Sequence, residues 1–385
     1  ITFLWIRILL LKPLAATRCQ MLAAQKIGGP VQRGHQMPRI KFADVSFPDH
    51  NIPSAHDIEV RLRKFLDRFR EQIGSPKFDY ALSEADRLKI RRRAAAYLSA
   101  ISRRTGMDHL DPKERARLEV FRSGAQVQPV ATEHRADEIA SCLHTEMPWM
   151  APATERLWHD MRASVRNGDP GPRLRPLLLV GPPGIGKSYW SRLLGAQLSV
   201  PTTIIEATSE PAAFAVTGSQ KGWGSAGPGK VLEGIMASQI ANPVIVVDEI
   251  EKAGHVQSAG GQRYSLTEGL LPLIERSTAR RWSCPYFRIV FDMSWITWVL
   301  TANSLRGLSA PFLSRCPPTE LMPLTQEHLI GFAEREGARR DLPPDAINAV
   351  KDVIMAIKTP HNVSLRSVIR MLDAVDQAMN RPVLH

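Results

Sequence analysis

The chain has 385 residues, 44% of them hydrophobic, and a formal charge of +12. This is long enough for two or three domains and ample for a buried core. The basic excess is compatible with a nucleic-acid partner without establishing one. Cys19, Cys142, Cys284 and Cys316 are scattered, with no C-x-x-C pair and no His at metal spacing. That argues against a zinc site or a disulfide framework and for a reducing, cytoplasmic setting.

In chain order, Ile1 to Leu14 is apolar but interrupted by Arg7 and Lys12. It is too short to span a bilayer and makes a poor signal peptide. The chain starts with Ile, while Met21 and Met37 are available as starts. Residues 1–36 are therefore read as upstream translation or a disordered leader, with a membrane anchor as the less favoured alternative.

Residues 54–124 read as helical. Ser54 and Asp57 form an N-cap pair ahead of Ile58, Leu62, Phe65, Leu66 and Phe69, and Gly74 ends the run. A second helix starts at Ser83, carries Leu88, Ala95, Leu98 and Ile101, and stops near Gly106. Asp111-Pro112 opens a shorter third. Residues 61–120 hold sixteen Lys/Arg against nine Asp/Glu, including Arg91-Arg92-Arg93 and Arg103-Arg104. A solvated basic face, or a dock for an acidic partner, is the favoured reading of these arginines; a DNA-contacting helix is the alternative. Residues 125–135 read as a linker, and Pro152 opens a helix with Leu157, Met161 and Val165 that Gly168 closes.

Leu177 to Val180 then reads as a buried strand and Tyr189 to Leu198 as a helix. Between them runs Gly181-Pro182-Pro183-Gly184-Ile185-Gly186-Lys187-Ser188, which matches G-x-x-x-x-G-K-[ST]. A glycine-rich turn between strand and helix aims backbone N–H groups and a helix N-terminus at a phosphate. The three glycines allow the backbone to approach it closely. Lys187 reaches the β/γ-phosphates and the Ser188 hydroxyl can ligate Mg²⁺. Gly181 to Tyr189 is thus the expected ATP-binding stretch.

Further strands are predicted at Thr202 to Glu206, Val244 to Val247, Trp298 to Thr301 and Thr319 to Leu321. Their alternation with helices argues for a three-layer α/β domain. Val244 to Val247 is unbroken apolar, as a strand buried on both faces requires, and ends in Asp248-Glu249. Asp248 is placed to hold Mg²⁺, and Glu249 to orient and polarise an attacking water. Thr325 to Asn380 reads as all-helical.

The stretch from about 135 to 380 resembles the AAA+ module of the Lon proteases. Asn242-Pro243 leads into Asp248-Glu249-Ile250-Glu251-Lys252; Thr301-Ala302-Asn303-Ser304-Leu305 looks like the sensor-1 segment. Pro311-Phe312-Leu313-Ser314-Arg315 looks like the arginine-finger segment, and Ser364-Leu365-Arg366-Ser367-Val368-Ile369-Arg370 like the start of the sensor-2 helix.

The resemblance implies roles. Asn303 would help place the water, Arg315 would reach ATP on a neighbouring subunit, and Arg366 would contact nucleotide from the lid. It also implies a homo-oligomeric ring, usually a hexamer, with ATP and Mg²⁺ as cofactors. Trp149, Met150 and Pro152 are candidates for an adenine pocket or for ordinary core contacts.

Gly222-Trp223 lies where the family has its pore loop, with one extra residue before Pro228-Gly229. Trp223 there would grip a polypeptide, stack on a base, or pack against a neighbouring helix. The family's peptidase domain would follow the lid and finds no place in the sequence, so an ATPase without protease activity is expected.

The expectation is therefore α/β: a P-loop AAA+ three-layer domain with a C-terminal helical lid and an α-helical N-terminal extension. Its divisions are a leader at 1–36, a basic helical region at 37–130, the nucleotide-binding domain at 135–322 and the lid at 323–385. A protein client is the expected partner, a nucleic acid the alternative, and no membrane is expected.

Overall fold

The computed structural model describes residues 37–47, 53–72, 82–208, 212–221, 226–253, 255–257, 263–359 and 363–380. The leader at 1–36 and the pore-loop residues Gly222 and Trp223 lie outside them.

The chain enters through β1 (Arg39–Ile40), then α1 (Ala55–Gln72), α2 (Glu84–Thr105), α3 (Pro112–Leu118) and β2 (Ala125–Gln126). The predicted caps are present. Ser54 and Asp57 bond reciprocally at 2.8 and 3.1 Å, the Ser83 side chain caps α2, and Gly106 closes it with a left-handed φ of 73°. Asp111 and Glu114 form a capping box on α3.

α4 (Glu133–Glu146) and α5 (Ala151–Arg166) lead to β3 (Leu177–Val180), α6 (Lys187–Leu198) and β4 (Thr202–Glu206). Next come α7 (Ala212–Thr217), α8 (Lys230–Ser238), β5 (Val244–Asp248), β6 (His255–Gln257) and β7 (Arg263–Ser265). α9 (Leu266–Ile274) and α10 (Arg276–Ala279) precede β8 (Trp282–Ser283), β9 (Val290–Phe291) and β10 (Thr297–Ala302). The chain then runs through α11 (Ala310–Arg315), β11 (Pro318–Glu320), α12 (Gln326–Arg339), α13 (Pro344–Ala356) and α14 (Leu365–Met379).

Five strands form one parallel sheet in the order β11-β3-β10-β5-β4. Successive residues of the strands serve opposite layers. Leu178, Ile245, Val247, Trp298 and Leu300 pack into one core, while Leu177, Leu179, Val244, Val246 and Val299 pack into the other. Both faces are covered, which is the physical reason the strands are apolar without alternation. The first core takes in α8 and α9; the second takes in α4, α5, α6 and the lid residues Leu329, Phe332, Val368 and Leu372.

The N-terminal region divides differently from its charge. In α1 and α2 only Ile58 and Ala94 are buried. Its other segments enter the first core, where Phe42 meets Phe121 at 4.8 Å and Phe291 at 5.6 Å between ring centroids. The stretch read as a linker is instead pinned: Ala125 and Val127 are fully buried, and Gln126 exchanges backbone hydrogen bonds with Gln239 and Ala241. Cys284 and Cys316 are buried free thiols. Among the described residues, no helix is long and apolar enough to cross a membrane.

Candidate nucleotide site

The C-terminal ends of β3, β5 and β10 are adjacent in the parallel sheet, so whatever follows these strands converges at one edge. The glycine-rich loop follows β3. Gly184 and Gly186 have φ of 77° and 91°, in the left-handed region that favours glycine. A Cβ on Gly184 would come within 2.4 Å of Ser364 Cβ, and one on Gly186 within 2.6 Å of Met147 Cε. The loop is held from both sides: Leu365 N–H donates to Gly184 O at 3.0 Å, and Trp149 Nε1 to Ile185 O at 2.8 Å. Trp149 and Met150 are buried core residues, while Pro152 is exposed.

Lys187 is nearly buried. Its ammonium donates to Gly181 O at 2.7 Å, Pro182 O at 3.1 Å and Asn303 Oδ1 at 3.0 Å. Burial lowers its pKa, opposed by the charges of Asp248, Glu251 and Glu249. The next residue, Ser188, donates from Oγ to Asp248 Oδ2 at 2.8 Å, across sixty positions of sequence.

Thr301 joins the two acids at the end of β5. Its hydroxyl donates to Asp248 Oδ1 and accepts from Glu249 N–H at 3.1 Å. Glu249 has φ of 56°, so the chain turns sharply where the strand ends. Its Oε1 accepts from Lys252 Nζ at 2.8 Å and, at 3.5 Å, from Asn303 Nδ2. Glu251 Oε1 accepts from both Asn303 N–H, at 3.1 Å, and Nδ2, at 3.0 Å, while Glu251 Oε2 is buried without a partner.

Lys187, Ser188, Asp248, Glu249 and Asn303 are thus one connected cluster. Thr301, Glu251 and Lys252 complete it. Sequence reasoning quoted these three within motifs without giving them roles. Glu249 and Lys252 stand at i,i+3, the only local signal for any of them.

The other candidates lie apart. Arg315 ends α11, where its Nε donates to Glu275 Oε2 at 2.7 Å and its Nη1 to Pro311 O at 3.2 Å. Arg366 is the exposed second residue of α14, two positions beyond the Ser364 that touches Gly184. Tyr189 is partly exposed at the start of α6.

The donor set suits Mg-ATP. A cradle that a Cβ would fill, a lysine beside it and a buried carboxylate oxygen without a partner match a polyphosphate with a cation. Among the described residues no cluster of His, Cys, Asp or Glu encloses an ion by itself. Mg²⁺ does not require one, since it is commonly held by one or two side chains together with phosphates and water.

Such a loop, acid pair and polar strand end on a parallel sheet define a P-loop ATPase domain. Residues 177–324 match the family model for the ATPase family associated with various cellular activities, AAA. This stretch is an AAA-type ATPase domain, and it resembles the ATPase module of Lon proteases. Peroxisomal Lon protease homolog 2 of Arabidopsis thaliana is 25% identical over 224 residues, covering 56% of this chain and 24% of that protein. The mitochondrial Lon protease homolog of Saccharomyces cerevisiae is 27% identical over 186 residues, 45% of this chain and 16% of its own length. The Lon protease of Treponema pallidum is 27% identical over 206 residues, 51% and 22%. The chain spans about a quarter or less of the length of these relatives.

Proposed function

We propose that this chain is a Mg²⁺-dependent ATP hydrolase that uses its cycle to remodel or thread a protein client in a homo-oligomeric ring. The observation that carries the reading is the hydrogen-bonded cluster of Lys187, Ser188, Asp248, Glu249 and Asn303 at one sheet edge. In this reading Gly181, Pro182, Pro183, Gly184, Ile185 and Gly186 wrap the phosphates, with Lys187 and Tyr189 at the start of α6. Ser188 and Asp248 would hold Mg²⁺, which would supply positive charge against the developing charge on the phosphates.

Glu249 accepts the proton of the attacking water, and Asn303 orients that water. Asn303 is suited to this because its amide already joins Lys187 to the carboxylates of Glu249 and Glu251. Arg315 serves a neighbouring subunit, in keeping with its exposed position on α11, where its partners are Glu275 and Pro311. Its exposed pair with Glu275 is weakly held and easily exchanged for a stronger anion. Arg366 reaches nucleotide from the lid, whose first helical residues rest on Gly184. A hexamer, and a client gripped at Gly222-Trp223, follow from the resemblance to Lon.

A second reading, a nucleic-acid-associated motor, is favoured by one observation: Arg91, Arg92 and Arg93 are exposed on α2, and no ion pair engages them among the described residues. Steady-state ATP turnover of the full chain, alone and with unfolded protein or duplex DNA, separates the two. Stimulation by unfolded protein supports the remodeller; stimulation by DNA alone overturns it in favour of the second reading.

A further inference from the structure

A cavity of about 100 Å³ opens at the opposite end of the sheet from the P-loop. Pro176, just before β3, and Ile296 and Trp298, at the start of β10, form one side; Leu273 and Arg276 form another. At roughly 3.3 Å per residue, the length of these strands separates it from the nucleotide cluster by about 15 Å. It has room for about three water-sized occupants at ~30 Å³ each.

Two features of its lining point to a ligand. The first is Trp298, only 2% exposed, whose indole Nε1 is buried with no hydrogen-bond partner. Buried indole N–H groups normally find an acceptor, and leaving one unpaired is costly. The second is charge. Arg173 is held by Asp169 at 2.7 Å and stacks on Trp295 at 3.6 Å from guanidinium carbon to ring centroid; Arg175 is held by Asp160 at 2.8 Å. Arg276 has no such partner among the described residues. Burial lowers its pKa, and Arg173 and Arg280 lower it further, against the opposing charges of Asp169 and Asp292.

We propose that this cavity binds a compact oxyanion, a carboxylate or inorganic phosphate, with Arg276 as the charged donor and Trp298 Nε1 as the neutral donor at its back. An anion accepts from both and satisfies the unpaired indole. The apolar side chains of Leu273, Met293 and Ile296 beside the donors lower the local polarity, which strengthens both bonds. The site is separate from the proposed nucleotide chemistry and stands whether or not the chain turns over ATP.

The test uses the full chain carrying Lys187→Ala, which removes phosphate binding at the P-loop, labelled with 5-fluorotryptophan. Potassium phosphate and potassium acetate are titrated against potassium chloride of equal ionic strength while ¹⁹F resonances are followed. The resonance missing from Trp298→Phe is expected to shift saturably with phosphate, acetate or both, and the responding salt identifies the anion class. Adding Arg276→Ala should weaken binding about tenfold or more, the loss expected for a charged hydrogen bond. Calorimetry of the same anions with and without Arg276→Ala gives the comparison without relying on Trp298→Phe. No saturable response to either oxyanion, or equal affinity in Arg276→Ala, overturns the proposal.

Discussion

Thr301→Val removes one hydroxyl and keeps the shape of the side chain. Thr301 is fully buried in β10, and among the described residues its hydroxyl is the only side-chain group that bonds to both Asp248, at the carboxylate, and Glu249, at the backbone N–H. Losing the bond to the Asp248 carboxylate costs about 1.5–3 kcal/mol, and leaving the Glu249 N–H without its acceptor costs about 1–3 kcal/mol. Asp248 keeps its bond from Ser188, which limits rearrangement, so a combined loss of about 3 kcal/mol is expected. For a domain of this size each kcal/mol lowers the melting temperature by roughly 2–4 °C, which places the variant about 6–12 °C below the parent. Thr301→Ser keeps the hydroxyl and should lose only about 1 kcal/mol for the missing methyl group. Differential scanning calorimetry of the three proteins measures the shifts, and ATP turnover on the same samples should fall at least tenfold in Thr301→Val alone. A Thr301→Val protein that melts within about 2 °C of the parent refutes the reasoning.

Three further outcomes are expected. Arg315→Ala should bind ATP like the parent yet hydrolyse it at least about tenfold more slowly, and mixing it with Glu249→Gln subunits should restore part of the turnover; failure of any mixture to recover activity counts against action across subunits. Gly184→Ala should lower stability and nucleotide affinity together, because its φ is 77° and the added methyl meets Ser364; isothermal titration and melting curves read both. Burial pushes the Cys316 thiol up to about 12, so it should resist iodoacetamide at pH 8 in the folded protein and react after denaturation, as read by mass spectrometry. Because the unfolded thiol ionises first, the stability this group contributes is complete below about pH 9 and is lost as the pH rises toward 12.

The strands that carry the site were legible because a strand buried on both faces must be apolar throughout, and Val244 to Val247 and Leu177 to Val180 are. The P-loop was legible because Gly184 and Gly186 occupy backbone conformations other residues avoid. The helix starts at Ser54, Ser83 and Asp111 were signalled by their own capping side chains. What escaped depends on residues distant in the chain. Nothing near Phe42 or Phe121 announces that they meet Phe291, so the first segment read as a separate basic region although its aromatic residues enter the main core. Ala125 and Val127 lie in a stretch with linker composition and are buried because Gln126 bonds beside Gln239. The role of Thr301 was hidden for the same reason: a strand threonine becomes a bridge between two acids only once β10 lies beside β5.

The central claim is hydrolysis of ATP at the cluster of Lys187, Asp248, Glu249 and Asn303. The most direct measurement is phosphate release by the full chain with Mg-ATP, beside Glu249→Gln. The account predicts turnover by the parent, and in the variant retained ATP binding with turnover lower by about two orders of magnitude or more. Equal turnover by the two proteins, or none by a parent that binds ATP, would contradict it.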